Sequence, residues 1–215
     1  MMTDPLIASC RVKPKANFLA KLGRGVAAES VPATALVIGI AGAAAIVSIA
    51  LAPGAIGMLG AGLAVVAIGI AVIDLRHYII PDGLNVAGFI LAIGHAAALD
   101  PDVMVTTITM AVVRGLVMAL LFFILRQLYV LIRGRVGLGL GDVKLAGVVG
   151  AWLDWSTIPV AIEIATFTAL STFLLRQHIL RRPIIATSRL PFGFFLAPAI
   201  WLGWVLQLTW LAPVY

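Results

Sequence analysis

The sequence predicts an all-α protein, a polytopic transmembrane helix bundle of about six or seven spans. Three observations carry that reading. Hydrophobic residues make up 62% of the 215 positions and charged residues only 11%, with a mean hydropathy of +1.13. A soluble domain carries roughly 25% charged residues, so this chain has too little polar surface to enclose itself in water. Its apolar residues fall into successive stretches near the length of one bilayer crossing, about 20 residues, separated by short polar or Gly/Pro turns. Lys and Arg collect in alternate loops, the pattern of an oriented membrane protein.

Residues 1–31 are the one stretch resembling soluble sequence, made basic by Arg11, Lys13, Lys15, Lys21 and Arg24. They are read as a cytoplasmic N-terminal tail, and residues 32–215 as the transmembrane domain. Thr34 to Leu51 is the first span, and Ala52-Pro53-Gly54 a tight turn. Ala55 to Ile73 returns the chain to its starting side. Asp74 to Gly83 is a polar loop, and Leu84 to Leu99 a third, shorter span. Asp100-Pro101-Asp102 is an acidic turn. Val103 to Ile132 is long enough to tilt. Arg133 to Gly141 is a basic, glycine-rich loop ending at Asp142. Val143 to Trp152 is apolar but too short to cross alone, and Asp154, Ser156 and Pro159 interrupt it before Val160 to Leu175. Either a short buried helix precedes a full span there, or two unequal spans follow each other. Gln177 to Leu190 is a basic loop, and Pro191 to Trp210 the last span.

With the N-terminus inside, Arg76, Arg133, Arg135, Lys144, Arg176, Arg181, Arg182 and Arg189 all fall inside, while Asp100, Asp102 and Asp154 fall outside with no Lys or Arg. The net charge of +6 then reflects membrane anchoring rather than nucleic-acid binding. This topology also puts Asp74 and Asp142 on one, cytoplasmic, side. The single cysteine, Cys10, excludes an intrachain disulfide and a Cys-x-x-Cys zinc site. His77, His95 and His178 show no ligand spacing, so neither metal nor cofactor is expected. Arg114 and Glu163, both inside spans, are expected to pair with each other. Trp152, Trp155, Trp201, Trp204 and Trp210 lie mostly near span ends and read as an interfacial belt.

The chemistry rests on Asp74 and Asp142. A carboxylate at the edge of hydrocarbon costs several kcal/mol unless paired, hydrated or neutralised. Asp74 closes a span in Asp74-Leu-Arg-His-Tyr-Ile-Ile-Pro-Asp-Gly-Leu-Asn85. Pro81 biases Ile80 away from helix, so the next helix starts at Pro81 or Asp82, with Asp82 as its N-cap. Asp142 follows Gly139 and Gly141, which permit unusual backbone angles and leave room for an extended peptide. Taken singly, Asp74 reads as a polar helix end and Asp142 as an N-cap. Together, two adjacent carboxylates cannot both ionise freely, and they titrate as a coupled pair able to activate water.

At these segments the chain resembles the type IV prepilin peptidases, membrane aspartic proteases of the Gly-x-Gly-Asp class. The matching positions are Asp74, Ile80, Pro81 and Asp82, then Gly139, Gly141, Asp142, Lys144 and Leu145, then Leu190-Pro-Phe-Gly-Phe-Phe-Leu196. Phe194 stands where the family usually has proline, a departure read as affecting local helix geometry only. The resemblance implies an aspartic endopeptidase of the inner membrane. Its catalytic residues would be Asp74 and Asp142, supported by Gly139, Gly141, Lys144, Pro81 and Asp82. Its substrate would be a prepilin or pseudopilin, cut after a glycine that ends a short basic leader, ahead of a hydrophobic helix. Larger members add paired Cys-x-x-Cys motifs and N-methylate the mature pilin; with Cys10 alone, the resemblance carries the peptidase here and not the methyltransferase. The rival from another class is a small ion- or proton-coupled transporter, but such a protein holds its key acids near the midplane, and these two fall at span ends.

Overall fold

In the computed structural model the described residues are 16–179 and 191–211, with side chains described for 34–175 and 191–210. Tail residues 1–15, with Cys10, and the loop arginines Arg181, Arg182 and Arg189 lie outside them. The chain divides into two compact units, Met1–Ile40 and Ala41–Tyr215.

Among the described residues the structure is helical, without strands. The helices are α1 (Ala16–Leu51), α2 (Ala55–His77), α3 (Asp82–Leu99), α4 (Met104–Arg133), α5 (Leu140–Trp152), α6 (Thr157–Ile179) and α7 (Phe192–Leu206). Among the described residues, all but α5 contribute a segment long and apolar enough to cross a membrane, six in total. Helix α1 starts at Ala16, inside the segment assigned to the tail, and its apolar portion is Thr34–Leu51. The turn after α1 takes a left-handed backbone at Gly54, φ 82°, as the Ala-Pro-Gly sequence requires.

Helix α5 settles the ambiguity after Asp142. Its 13 residues span about 20 Å at 1.5 Å per residue, short of a hydrocarbon core of about 30 Å. From Leu145 to Trp152 every residue is buried. The short buried helix is followed by a full span, α6. Glycine makes the burial of α5 possible: a Cβ on Gly150 would collide with the Arg114 carbonyl, and one on Gly115 would lie 2.9 Å from the Gly147 carbonyl. Small residues at such crossings let backbones approach where lipid offers no hydrophobic drive.

The end of the bundle away from Asp74 is tied by a polar and aromatic cluster. Trp152 Nε1 donates to the Gly88 carbonyl at 2.9 Å, and Trp204 Nε1 donates to His95 Nε2 at 3.0 Å. The His95 ring lies 4.7 Å from Trp152, centroid to centroid. Gly60 makes room for the Trp204 indole, which a Cβ there would strike. Two sequence expectations fail at this end. Trp152 and Trp204 are core residues, 1% and 0% exposed, rather than part of an interfacial belt. Arg114 pairs with Asp154 at 3.3 Å, not with Glu163, and its Nε also donates to the Gly150 carbonyl. Glu163 is exposed on α6. Gln207 closes the network by donating to Asp154 at 2.7 Å.

Helix α1 is joined to α7 through Ser48, whose hydroxyl is fully buried and accepts from Trp201 Nε1 at 2.9 Å.

Candidate active site

Asp74 lies in the last turn of α2. The helix ends because Tyr78 adopts the left-handed conformation, φ 56° and ψ 35°, and its N–H caps the Asp74 carbonyl at 2.8 Å. A non-glycine residue there costs of order 1 kcal/mol or more, so packing must hold the turn in place. The next residues supply that packing. Ile79 points outward, Ile80 is 7% exposed, and Pro81 opens α3. Pro81, not Asp82, takes the N-cap position. Its carbonyl accepts from the N–H groups of Leu84 and Asn85, and Asp82 is the first helical residue.

Ile80 is the wedge around which the site is assembled. A Cβ on Gly141 would lie 3.0 Å from the Ile80 Cβ, and one on Gly193 would lie 2.7 Å from its Cδ1. The glycines of α5's entry and of α7's first turn therefore close on one side chain from two directions. Gly193 also abuts Asp74: its Cβ would meet Oδ2 at 2.9 Å. With the glycine in place, the Phe194 N–H donates to that Oδ2 at 2.9 Å. Asp74, 5% exposed, thus sits on the free N–H groups at the start of α7, the natural position for a carboxylate. Asp82 points away from this contact and pairs with Lys144 at 2.6 Å, where both side chains are half-exposed or more.

Asp142 is the third residue of α5. Its Oδ2 accepts from the Gly139 N–H at 3.1 Å, one half of a capping box whose other half glycine cannot supply. Gly139 tolerates no Cβ without crowding the same oxygen, which would lie 3.1 Å away. The loop before it is anchored by Arg126 of α4, which donates to the Leu138 carbonyl at 3.2 Å. Burial pushes the Asp142 carboxyl up to about 6; the Gly139 N–H opposes the rise, and the charge of Asp74 adds to it. The two aspartates, one ending α2 and one opening α5, are thus electrostatic neighbours at the same end of the bundle.

Of the residues singled out in sequence, Asp74, Gly139, Gly141, Asp142 and Pro81 converge on this corner, while Lys144 and Asp82 form an ion pair beside it. Gly193, within the Leu190-Pro-Phe-Gly-Phe-Phe-Leu196 motif, lets the start of α7 approach Ile80 and Asp74. The Phe194 N–H, Arg126 and the wedge role of Ile80 were not legible. Phe194 had only one signal, its departure from proline, and the departure does more than alter helix geometry: proline has no N–H to donate. Among the described residues no group of three His, Cys, Asp or Glu side chains is arranged to hold a metal ion.

Residues 61–174 match the sequence profile of the type IV leader peptidase family. The chain is 28% identical over 172 residues to a prepilin leader peptidase/N-methyltransferase of Aeromonas hydrophila, covering 73% of this chain and 52% of that one. It is 33% identical over 140 residues to the protein of that name from Dickeya chrysanthemi, covering 65% and 47%. With that from Burkholderia pseudomallei strain 1026b the figures are 30% over 160 residues, 69% and 48%. The chain spans about half the length of these curated relatives. No solved structure matches it significantly.

Proposed function

The chain belongs to the type IV leader peptidase family, and from that premise we propose that it is a membrane aspartic endopeptidase that removes the leader of a prepilin or pseudopilin at the cytoplasmic face of a bacterial inner membrane. The observation that carries the reading is the approach of Asp74 and Asp142 at one end of the bundle, each carboxylate held by a backbone N–H and the charge of Asp74 felt at Asp142. A pair of this kind shares a proton because both members cannot ionise freely. The ionised carboxylate takes a proton from a water, whose oxygen attacks the scissile carbonyl. The protonated carboxyl donates to the carbonyl oxygen. The resulting gem-diol collapses as a proton passes to the leaving amine, which regenerates the pair. Rigid backbone donors keep the two side chains oriented through this cycle without rearrangement.

The cytoplasmic location is supported by the Lys and Arg of the loops on the Asp74 side, with Asp100, Asp102 and Asp154 on the other. The positions of the acids favour this reading over a transporter: both sit in terminal turns of helices, and in the opposite half Arg114 is paired with Asp154 and His95 with Trp204. The N-methyltransferase part of the relatives' name is left out of the proposal.

The test is co-expression with a tagged prepilin and mass measurement of the product. Asp74→Asn and Asp142→Asn each leave the prepilin uncut while the variant remains membrane-inserted. Full cleavage by either variant removes the dyad from consideration.

A further inference from the structure

Helices α3, α4 and α5 enclose a groove of about 420 Å³ on the face of α5 that carries Lys144, Gly147 and Val148. Lys144 and Asp142 are two positions apart, about 200° around a helix, so the groove and the aspartate pair occupy opposite faces of one turn. The groove is apolar along its length and open toward the lipid: Val86, Ile90 and Leu116 on its walls are 57%, 64% and 65% exposed. Its polar end is the Lys144–Asp82 pair. Its floor holds one anomaly. Asn85 is 5% exposed, yet neither its Nδ2 nor its Oδ1 has a hydrogen-bond partner.

An unpaired buried amide is costly, and native structures retain one only for a reason. Asn85 offers a donor and an acceptor side by side, the complement of a peptide group. A lipid chain has neither, and a lipid ester has only an acceptor. A polypeptide reaching this groove through the bilayer must arrive as a helix, with its peptide groups already satisfied internally. A protease, in contrast, needs extended backbone at the bond it cuts. Unwinding the end of the helix that leads to that bond strands N–H and C=O groups inside the apolar groove, and these need a partner there.

We propose that the groove between α3, α4 and α5 receives the membrane helix of the substrate, unwound at the level of Asn85, whose carboxamide takes up the peptide N–H and C=O groups that unwinding frees. The proposal rests on the peptidase reading above. It makes Asn85 a substrate-binding residue and the Lys144–Asp82 pair the gate at the groove's polar end.

The experiment uses the full chain in proteoliposomes with two substrates: a full-length tagged prepilin, and a short water-soluble peptide spanning its cleavage site. Asn85→Ala and Asn85→Leu lower kcat/KM on the full-length prepilin about tenfold, the effect of roughly one lost hydrogen bond, and lower it less on the short peptide, which carries no membrane helix to unwind. In parallel, a benzophenone amino acid in place of Leu116 crosslinks to uncut prepilin in an Asp142→Asn background, whereas one in place of Phe167, exposed on α6, does not. Equal losses on both substrates together with a lower Tm mark Asn85 as structural and overturn the proposal, as does no loss on either. Crosslinking from Leu116 to lipid alone identifies the groove as a lipid site and also overturns it. A wild-type protein that cuts neither substrate refutes the peptidase reading itself, a result distinct from these.

Discussion

Asp142→Asn separates a functional carboxylate from a structural one, because the two roles predict opposite signs for stability. In the folded chain burial lifts the Asp142 carboxyl from its ordinary 3.8 to about 6. Its ionised form is therefore less favourable in the fold than in the unfolded chain. The penalty is fully present above pH 6, fades as pH falls from 6 toward 3.8, and is absent below. A shift of about two pKa units at 1.36 kcal/mol each sets a ceiling of about 3 kcal/mol. Asp142 is partly exposed, so solvent screening reduces this to about 1–2 kcal/mol. Asparagine has nearly the same volume and keeps an oxygen to accept from the Gly139 N–H, which isolates the charge as the only change. The variant should be more stable than wild type at pH 7.5, with a Tm higher by about 2–8 °C on the scale of chains this size, and catalytically dead. The assay is thermal unfolding of both proteins in one detergent between pH 4 and 8, beside the cleavage assay. The stability gap should close as pH falls to 4. A variant less stable than wild type at pH 7.5, or a gap independent of pH, would refute the reasoning and leave Asp142 a helix cap.

Three further outcomes follow from the packing. Gly193→Ala drives a methyl against Ile80 and Asp74 Oδ2, at 2.7 and 2.9 Å, and pushes the Phe194 N–H off Asp74; cleavage should fall at least about tenfold, the worth of a hydrogen bond to a charged group, with unchanged membrane insertion. Gly150→Ala places its methyl against the Arg114 backbone, which cannot yield as a side chain can; the loss should be about 1–3 kcal/mol, read as a lower Tm. The Lys144–Asp82 pair has side-chain exposures of 51% and 73%, so a double-mutant cycle with Lys144→Gln and Asp82→Asn should give a coupling below about 1 kcal/mol in stability.

Particular residues show how far the sequence could be read. Asp74, Pro81 and Asp142 were recognisable because their signals are local: a charge ending an apolar run, an imino acid closing a turn, glycines before an acid. The boundaries of α2, α3 and α4 follow within a few residues from the same kind of signal. The partners of Arg114 and Asp74 were not recognisable. Arg114 has two intramembrane or boundary acids within reach in sequence terms, Asp154 and Glu163, and only the packing of α4 on α5 selects the first. Phe194 lies 120 positions from Asp74, and no local pattern links them. Trp152 and Trp204 sit near helix ends, where an exposed indole is common; whether each faces lipid headgroups or His95 depends on helix rotation.

The sequence alone determined that the chain crosses a membrane, where α2, α3 and α4 begin and end to within a few residues, and that two aspartates close and open helices on one side. Those properties depend on the solvent each stretch can tolerate and on backbone chemistry within a few residues. Tertiary structure alone decided which faces turn inward: that α7 caps Asp74, that Ile80 is wedged between two glycines, and that Asn85 is covered without a partner. The reason is physical. In water, burial separates apolar from polar faces and marks a helix's orientation in its sequence. In lipid, outward and inward faces are equally apolar, so orientation is set by the fit of small residues and by a few long-range hydrogen bonds, which exist only once the helices have packed.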